Sequence, residues 1–209
     1  MTEPVPPPVS SIRLTADAIK VLAHPLRARL LRELRMNGPS TATVLAFHLE
    51  TNTGATSYHL RKLASVGLVE ETGEGRGRER WWRPTTDMHE WNDDVTEGDP
   101  DAMASAGWLR DHSVRMFVEA ADRWLSSHDA WPIEWRRLAG STDFTMSLTT
   151  AELDSLKKEL WAVIQRVDAE ATAAAAEEAD DAAAETGDLK SRQRISVYLH
   201  DFPEGERPR

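Results

Sequence analysis

The chain has 209 residues, is 40% hydrophobic and carries a formal net charge of −10. That length suits one ordinary domain, or a small domain with an appended region. No apolar run approaches the ~18 residues of a membrane span. With no cysteine, disulfides, thiolate metal sites and cysteine nucleophiles are excluded.

The acidic total conceals an asymmetry. Residues 1–86 hold 12 Lys and Arg against 8 Asp and Glu, a net of +4; residues 87–209 hold 13 against 27, a net of −14. The front half can attract phosphates while the whole chain is acidic. The start, with Pro4, Pro6, Pro7 and Pro8, reads as a disordered arm over 1–11. It has no basic-then-apolar leader pattern, so the expected location is cytoplasmic.

A first helix is expected from about Thr15 to Leu22. Pro25 suits the first turn of a second, in which Leu26, Leu30, Leu31 and Leu34 share a face and Arg27, Arg29, Arg32 and Arg35 lie elsewhere. Asn37-Gly38-Pro39 ends it. Ser40 or Thr41 can cap a short third helix with Val44, Leu45, Phe47 and Leu49. After Glu50-Thr51-Asn52, a fourth helix runs from about Thr53 to Val66, with Gly67 beyond its end. Leu68 to Glu71 and Glu79 to Arg83 read as strands around a glycine-rich turn.

The third and fourth helices match a helix-turn-helix, whose second helix enters the major groove of DNA. At ~100° per residue, Leu60 and Leu63 lie within about 40° of Thr56 and face inward. Gly54, Tyr58, Arg61 and Lys62 then point outward, with Ala55 and Ser57 flanking. Small residues permit close approach to base edges, Ser57 and Tyr58 offer hydrogen bonds, and Arg61 and Lys62 suit guanine or phosphate. Thr51, Asn52 and Thr53 at the helix start can meet a phosphate. Arg76, Arg78 and Arg80 gather at the hairpin tip, as in a wing along the DNA backbone or minor groove. His24 reads as a helix-start packing residue, and His59, on the flank of the fourth helix, as packing against the third helix or, second, as a phosphate contact.

The run Leu22-Ala23-His24-Pro25-Leu26-Arg27-Ala28-Arg29-Leu30-Leu31 resembles the opening of ArsR-type winged-helix regulators. Ala55-Thr56-Ser57-Tyr58-His59-Leu60-Arg61-Lys62-Leu63, followed by Val66-Gly67-Leu68-Val69, is similar to that family's recognition helix and wing entry. The resemblance spans about residues 12–86. It implies a symmetric dimer with two recognition helices in successive major grooves, and Ser57 and Tyr58 as base-reading positions. Sensing through cysteines is impossible here. The Asp and His scheme of a C-terminal dimer helix lacks its spacing, since Asp111, His112, Glu119 and His128 do not share a face. Neither metal nor cofactor is expected. Asp87, His89 and Glu90 read as solvated polar residues.

After Pro84 the chain is acidic and loop-like to about Pro100. A long helix from about Ala102 to Ser126 places Leu109, Met116, Phe117, Ala120 and Trp124 on one stripe, a candidate dimer interface. A short helix is expected near Glu134 to Ala139, a strand at Phe144 to Leu148, and a helix from the capping box Thr149-Thr150-Ala151-Glu152 to about Val167. Ala169 to Asp188 reads as a frayed or disordered linker, although alanine would favour helix. Ile195 to Leu199 reads as a last strand.

The expected architecture is mainly α with a small β component. It comprises an arm (1–11), a winged helix-turn-helix DNA-binding domain (12–86), dimerisation or effector helices (87–168), an alanine and acid linker (169–193) and a C-terminal strand and tail (194–209). No phosphate-binding glycine loop, nucleophile elbow or metal-hydrolase spacing suggests an enzyme. The expected function is a dimeric, sequence-specific regulator of double-stranded DNA, a repressor open to release by a non-thiol effector. The tryptophans of the C-terminal half read first as core or dimer interface, and second as the wall of a pocket for a small organic effector. The alternative is a DNA-binding protein without a small ligand, controlled by a protein partner through its acidic half.

Overall fold

The computed structural model describes residues 10–75, 79–182 and 192–204. Its elements are β1 (Ser11–Arg13), α1 (Ala16–Leu22), α2 (Pro25–Asn37), β2 (Ser40–Thr41), α3 (Ala42–His48), α4 (Thr53–Ala64), β3 (Val69–Glu71), β4 (Trp81–Pro84), β5 (Met88–Glu90), α5 (Pro100–Ser127), α6 (Ile133–Leu138) and α7 (Thr150–Ala182). The four expected N-terminal helices and the hairpin are all present. Among the described residues, no helix is long and apolar enough to cross a membrane.

Side chains start these helices by accepting otherwise orphaned backbone N–H groups. Thr15 Oγ1 accepts from Ala18 N at 3.2 Å, Thr41 Oγ1 from Val44 N at 3.3 Å and Asn52 Oδ1 from Ala55 N at 2.8 Å. For α2 the cap is an imidazole: His24 Nδ1 accepts from Leu26 N at 3.1 Å, with Pro25 next. Gly38 stops α2 at a φ of 81°, a conformation that glycine adopts without strain.

Leu14, Ile19, Leu22, Leu30, Leu31, Leu34, Leu45, Leu60, Leu63, Leu68 and Val69 form the core, each at most 2% exposed. Burying one such side chain is worth roughly 1.5–3 kcal/mol relative to exposure. Strand β4 lies between β2 and β3, antiparallel to both, with Thr41 opposite Trp81 and Glu70 opposite Arg83. The winged helix therefore closes with a three-stranded sheet.

Several expectations change. The end of the arm is tied down: β1 pairs in parallel with β5 at Ser11 and Met88, and Ser10 N and Oγ donate to Asp87 Oδ2 at 2.8 and 2.7 Å. Residues 1–9 lie outside the described residues. Leu109, expected on the dimer stripe, is 5% exposed and joins Ala106 in the N-terminal core. The first turns of α5 thus belong to that core, because they pack on α1. Helix α7 does not fray near Val167 but continues to Ala182. Alanine's propensity outweighs the lack of a buried face there. Residues 183–191 lie outside the described residues. Phe144 to Leu148 and Ile195 to Leu199 form no paired strand among the described residues.

Candidate nucleic-acid interface

Thr56, Leu60 and Leu63 are fully buried, so α4 is rotated as its periodicity predicts. Thr53, Gly54, Tyr58, Arg61 and Lys62 are exposed, and Ala55 and Ser57 are half-buried. Tyr58 is 53% exposed, and Lys62 Nζ sits 5.9 Å from its ring centre. Such a cation over a ring holds the two side chains as one unit. The turn before α4 closes with Thr51 N donating to Ala46 O at 2.9 Å. It places Glu50 at a φ of 51°.

Between the start of α3, the face of α4 and the wing lies a cleft of about 320 Å³ lined by Thr43, Thr53, Ser57, Arg61 and Arg80 among others. It contains hydroxyl and guanidinium donors from three elements, with the Glu79 carboxylate at its wing side. Those donors suit a phosphodiester backbone, which offers only acceptors.

The wing needs qualification. Arg76 and Arg78 lie outside the described residues. Arg80 is exposed, but Nη1 donates to Glu71 Oε1 at 2.6 Å. Beside it, Arg83 Nε donates to Glu70 Oε1 at 2.8 Å. Both cations are already paired with carboxylates of the neighbouring strand.

Behind the outward face of α4 lies a histidine pair the sequence did not connect. The His24 and His59 rings are 4.5 Å apart, and Tyr58 stands edge-on to His59 at 5.1 Å. Burial lowers both imidazole pKa values, helped by the nearby positive charge of Arg27. His24 caps α2 and His59 packs, so neither extends the outward surface. Arg27, expected on a polar face, turns its Nε to the Val21 carbonyl.

A second network corrects the reading of His89 as solvated, while Asp87 and Glu90 are exposed as expected. Arg35 Nε donates to Thr86 O at 2.9 Å, and Nη1 lies 2.7 Å from His89 Nδ1. His89 also stacks on Trp91 at 6.2 Å. Burial, with Arg35 adding to it, pushes the His89 pKa down to about 4. Burial likewise lowers Arg35 to about 10. Nothing in the local spacing announces this, since 54 residues separate the partners.

The long helix α5 brings no metal ligands together. His112 stacks on Trp108 at 4.9 Å. Among the described residues, no group of three His, Asp or Glu could hold an ion. Met116, Phe117, Ala120 and Trp124 are half-buried within the chain.

Residues 22–72 match the model of a helix-turn-helix domain. The chain is similar to a solution structure of the homodimeric winged helix-turn-helix DNA-binding domain of a possible ArsR-family transcriptional regulator from Mycobacterium bovis. Identity is 25%, coverage is 44% of this chain and 74% of that one, and the TM-score is 0.30. It is also similar to a crystal structure of a possible transcriptional regulator for arsenical resistance, at 30% identity, with 53% and 95% covered and a TM-score of 0.30. A crystal structure of a possible transcriptional regulatory protein from Mycobacterium bovis matches at 25% identity, with 44% and 86% covered and a TM-score of 0.30. No curated protein matches the chain. At those TM-scores the likenesses carry no weight for the fold, which rests on the element order and packing above.

Proposed function

We propose that this helix-turn-helix protein is a sequence-specific DNA-binding transcriptional regulator of the ArsR type that works as a homodimer. The observation that carries the reading is the outward face of α4. Ser57, Tyr58, Arg61 and Lys62 are held there by the buried Thr56, Leu60 and Leu63. Ser57 and Tyr58 read base edges, Arg61 reads guanine or grips phosphate, and Lys62 neutralises phosphate. Arg76, Arg78 and Arg80 supply the wing contact. Thr53, Gly54 and Ala55 let the helix start approach the duplex closely.

The dimer reading is supported by α5. Val114, Val118 and Leu125 are 41%, 48% and 70% exposed, and with Ala121 they recur at the 3–4 spacing of a helix seam. Paired antiparallel about a two-fold axis between Glu119 and Ala120, this seam sets Val114 against Leu125 of the partner subunit. The same register brings Arg115 within one turn of the partner's Asp122. The helix is therefore complementary to itself in charge as well as in shape. Release by a small organic effector, as in a repressor, extends this reading. Its support is the cluster of Trp124, Trp131 and His128, with ring centres 5.4–6.0 Å apart.

The test is binding to genomic DNA flanking the protein's own gene, across a salt series. Wild type selects one fragment; Arg61→Ala loses the preference; Arg76→Ala with Arg78→Ala weakens all fragments and flattens the salt dependence by about 0.9 for each phosphate no longer neutralised. Absence of DNA binding at low salt overturns the proposal.

A further inference from the structure

Beyond Leu109, not one described side chain is buried. Two five-residue segments there alternate in the manner of strands: Phe144, Met146 and Leu148 in one, Ile195, Val197 and Leu199 in the other. All six apolar side chains are 42–72% exposed. Among the described residues, no backbone–backbone hydrogen bond reaches either segment.

The second segment is nevertheless built as a strand. Arg192 Nε donates to Glu178 Oε2 at 2.8 Å, and Asp201 Oδ2 accepts from Lys157 Nζ at 3.0 Å. The helix between those anchors spans about 31 Å at 1.5 Å per residue. The nine steps from Arg192 to Asp201 reach about 30 Å when extended at about 3.3 Å each, a length comparable to that span. The Tyr198, His200 and Phe202 rings repeat at 6.4 and 5.9 Å with planes 10° and 15° apart, the two-residue repeat of an extended chain. Tyr198 and His200 rest on Phe117 of α5 at 5.5 and 5.2 Å. The result is a lone strand laid antiparallel along α7, with open backbone edges. Such an edge is a template for another strand.

Phe144 to Leu148, just ahead of α7, has the complementary need. The two segments match in length and in their three alternating apolar residues, yet no backbone hydrogen bond joins them within one chain. A two-fold axis satisfies both at once, because each copy gives one strand and receives one. A foreign strand on Ile195 to Leu199 would leave Phe144 to Leu148 unpaired. The strand also lies, through Phe117, against the helix that carries the α5 seam. We propose that two copies exchange strands, Ile195 to Leu199 of each pairing with Phe144 to Leu148 of the other. The proposal rests on the homodimer reading above and adds to it the interface that closes the C-terminal half.

The cysteine-free chain makes the test direct. Ser196→Cys is made alone, as are Thr145→Cys, which opposes it in a parallel ladder, and Ser147→Cys, which opposes it in an antiparallel one. All three positions are exposed and lie off the apolar face. Ser196→Cys protein is mixed with each of the others, exchanged, oxidised mildly and run without reductant, while light scattering gives the native mass. The expected result is a dimeric native mass and a mixed disulfide between different chains in one of the two mixtures. In the matching double variant, the expected product is a linked dimer. Disulfides confined to single chains of the double variant overturn the exchange, as does a native dimer that forms no cross-link in either mixture. A monomeric native mass overturns both the exchange and the dimer reading.

Discussion

His89 converts pH into stability in a way that can be isolated. A guanidinium only donates hydrogen bonds, so the 2.7 Å contact from Arg35 requires an unprotonated Nδ1 and a neutral ring. Burial, then Arg35, lowers the folded pKa from 6.5 to about 4. The unfolded ring takes up its proton near pH 6.5, before the folded one can. The His89 contribution is therefore fully present above pH 6.5 and is lost as pH falls toward 4. At about 1.36 kcal/mol per pKa unit, about 2 kcal/mol is gone by pH 5 and about 3 kcal/mol below pH 4. His89→Gln retains an acceptor for Arg35 but does not titrate. Urea unfolding of both proteins at pH 8, 6 and 5 reads the difference. The gap in unfolding free energy should move by about 2 kcal/mol between pH 8 and 5, with wild type losing more. His24 and His59, also lowered, lose stability in both proteins and cancel. Parallel pH profiles for the two proteins would refute the reasoning.

Other predictions concern the helix-turn-helix. Asn52→Ala removes the acceptor for Ala55 N and should cost about 1 kcal/mol in denaturant unfolding, whereas Asn52→Asp should cost little. Leu60→Ala empties a fully buried site between α4 and the core and should cost about 3–5 kcal/mol by the same measurement. Glu71→Gln frees Arg80 and removes a negative charge from the wing. It should tighten DNA binding several-fold at low salt and steepen the salt slope by up to about 0.9 per protomer; an unchanged slope would place Arg80 away from phosphate.

The N-terminal half was legible because its signals are local. Capping residues, a glycine after α2 and a 3.6-residue apolar repeat lie within a few positions of the structure they specify. The outward face of α4 followed from that repeat, and the burial of Thr56, Leu60 and Leu63 bears out its rotation. What escaped notice is carried by distance along the chain. Strand β1 is three residues with no pattern of its own, and it forms because β5 lies beside it, 77 residues away. Arg35 looks like any cation on a polar face until Thr86 arrives from the loop after β4 and His89 from β5. Leu109 fits an α5 stripe by spacing, but α1 claims it first. Farther on, Phe144 to Leu148 and Ile195 to Leu199 have strand composition without a partner in the chain. A ladder needs two edges, and composition supplies only one at a time.

Charge shows why a count misjudges the interface. The +4 of residues 1–86 is not a free reservoir. Lys20 is held by Asp17 and Asp99, Arg27 by the Val21 carbonyl, Arg35 by His89 and Thr86, and Arg80 and Arg83 by Glu71 and Glu70. Among the described residues, no ion pair engages Arg61 or Lys62, and these are the cations on the outward face of α4. Two protomers using only this pair would neutralise four phosphates, for a slope of log affinity against log salt of about −3.6. A steeper slope in wild type measures the wing. Arg76→Ala with Arg78→Ala should bring it back toward about −3.6, and Arg61→Ala with Lys62→Ala should remove most of what is left. If the α4 double variant leaves the slope untouched, the free cations of the helix do not meet the backbone, and the proposed docking of α4 is wrong.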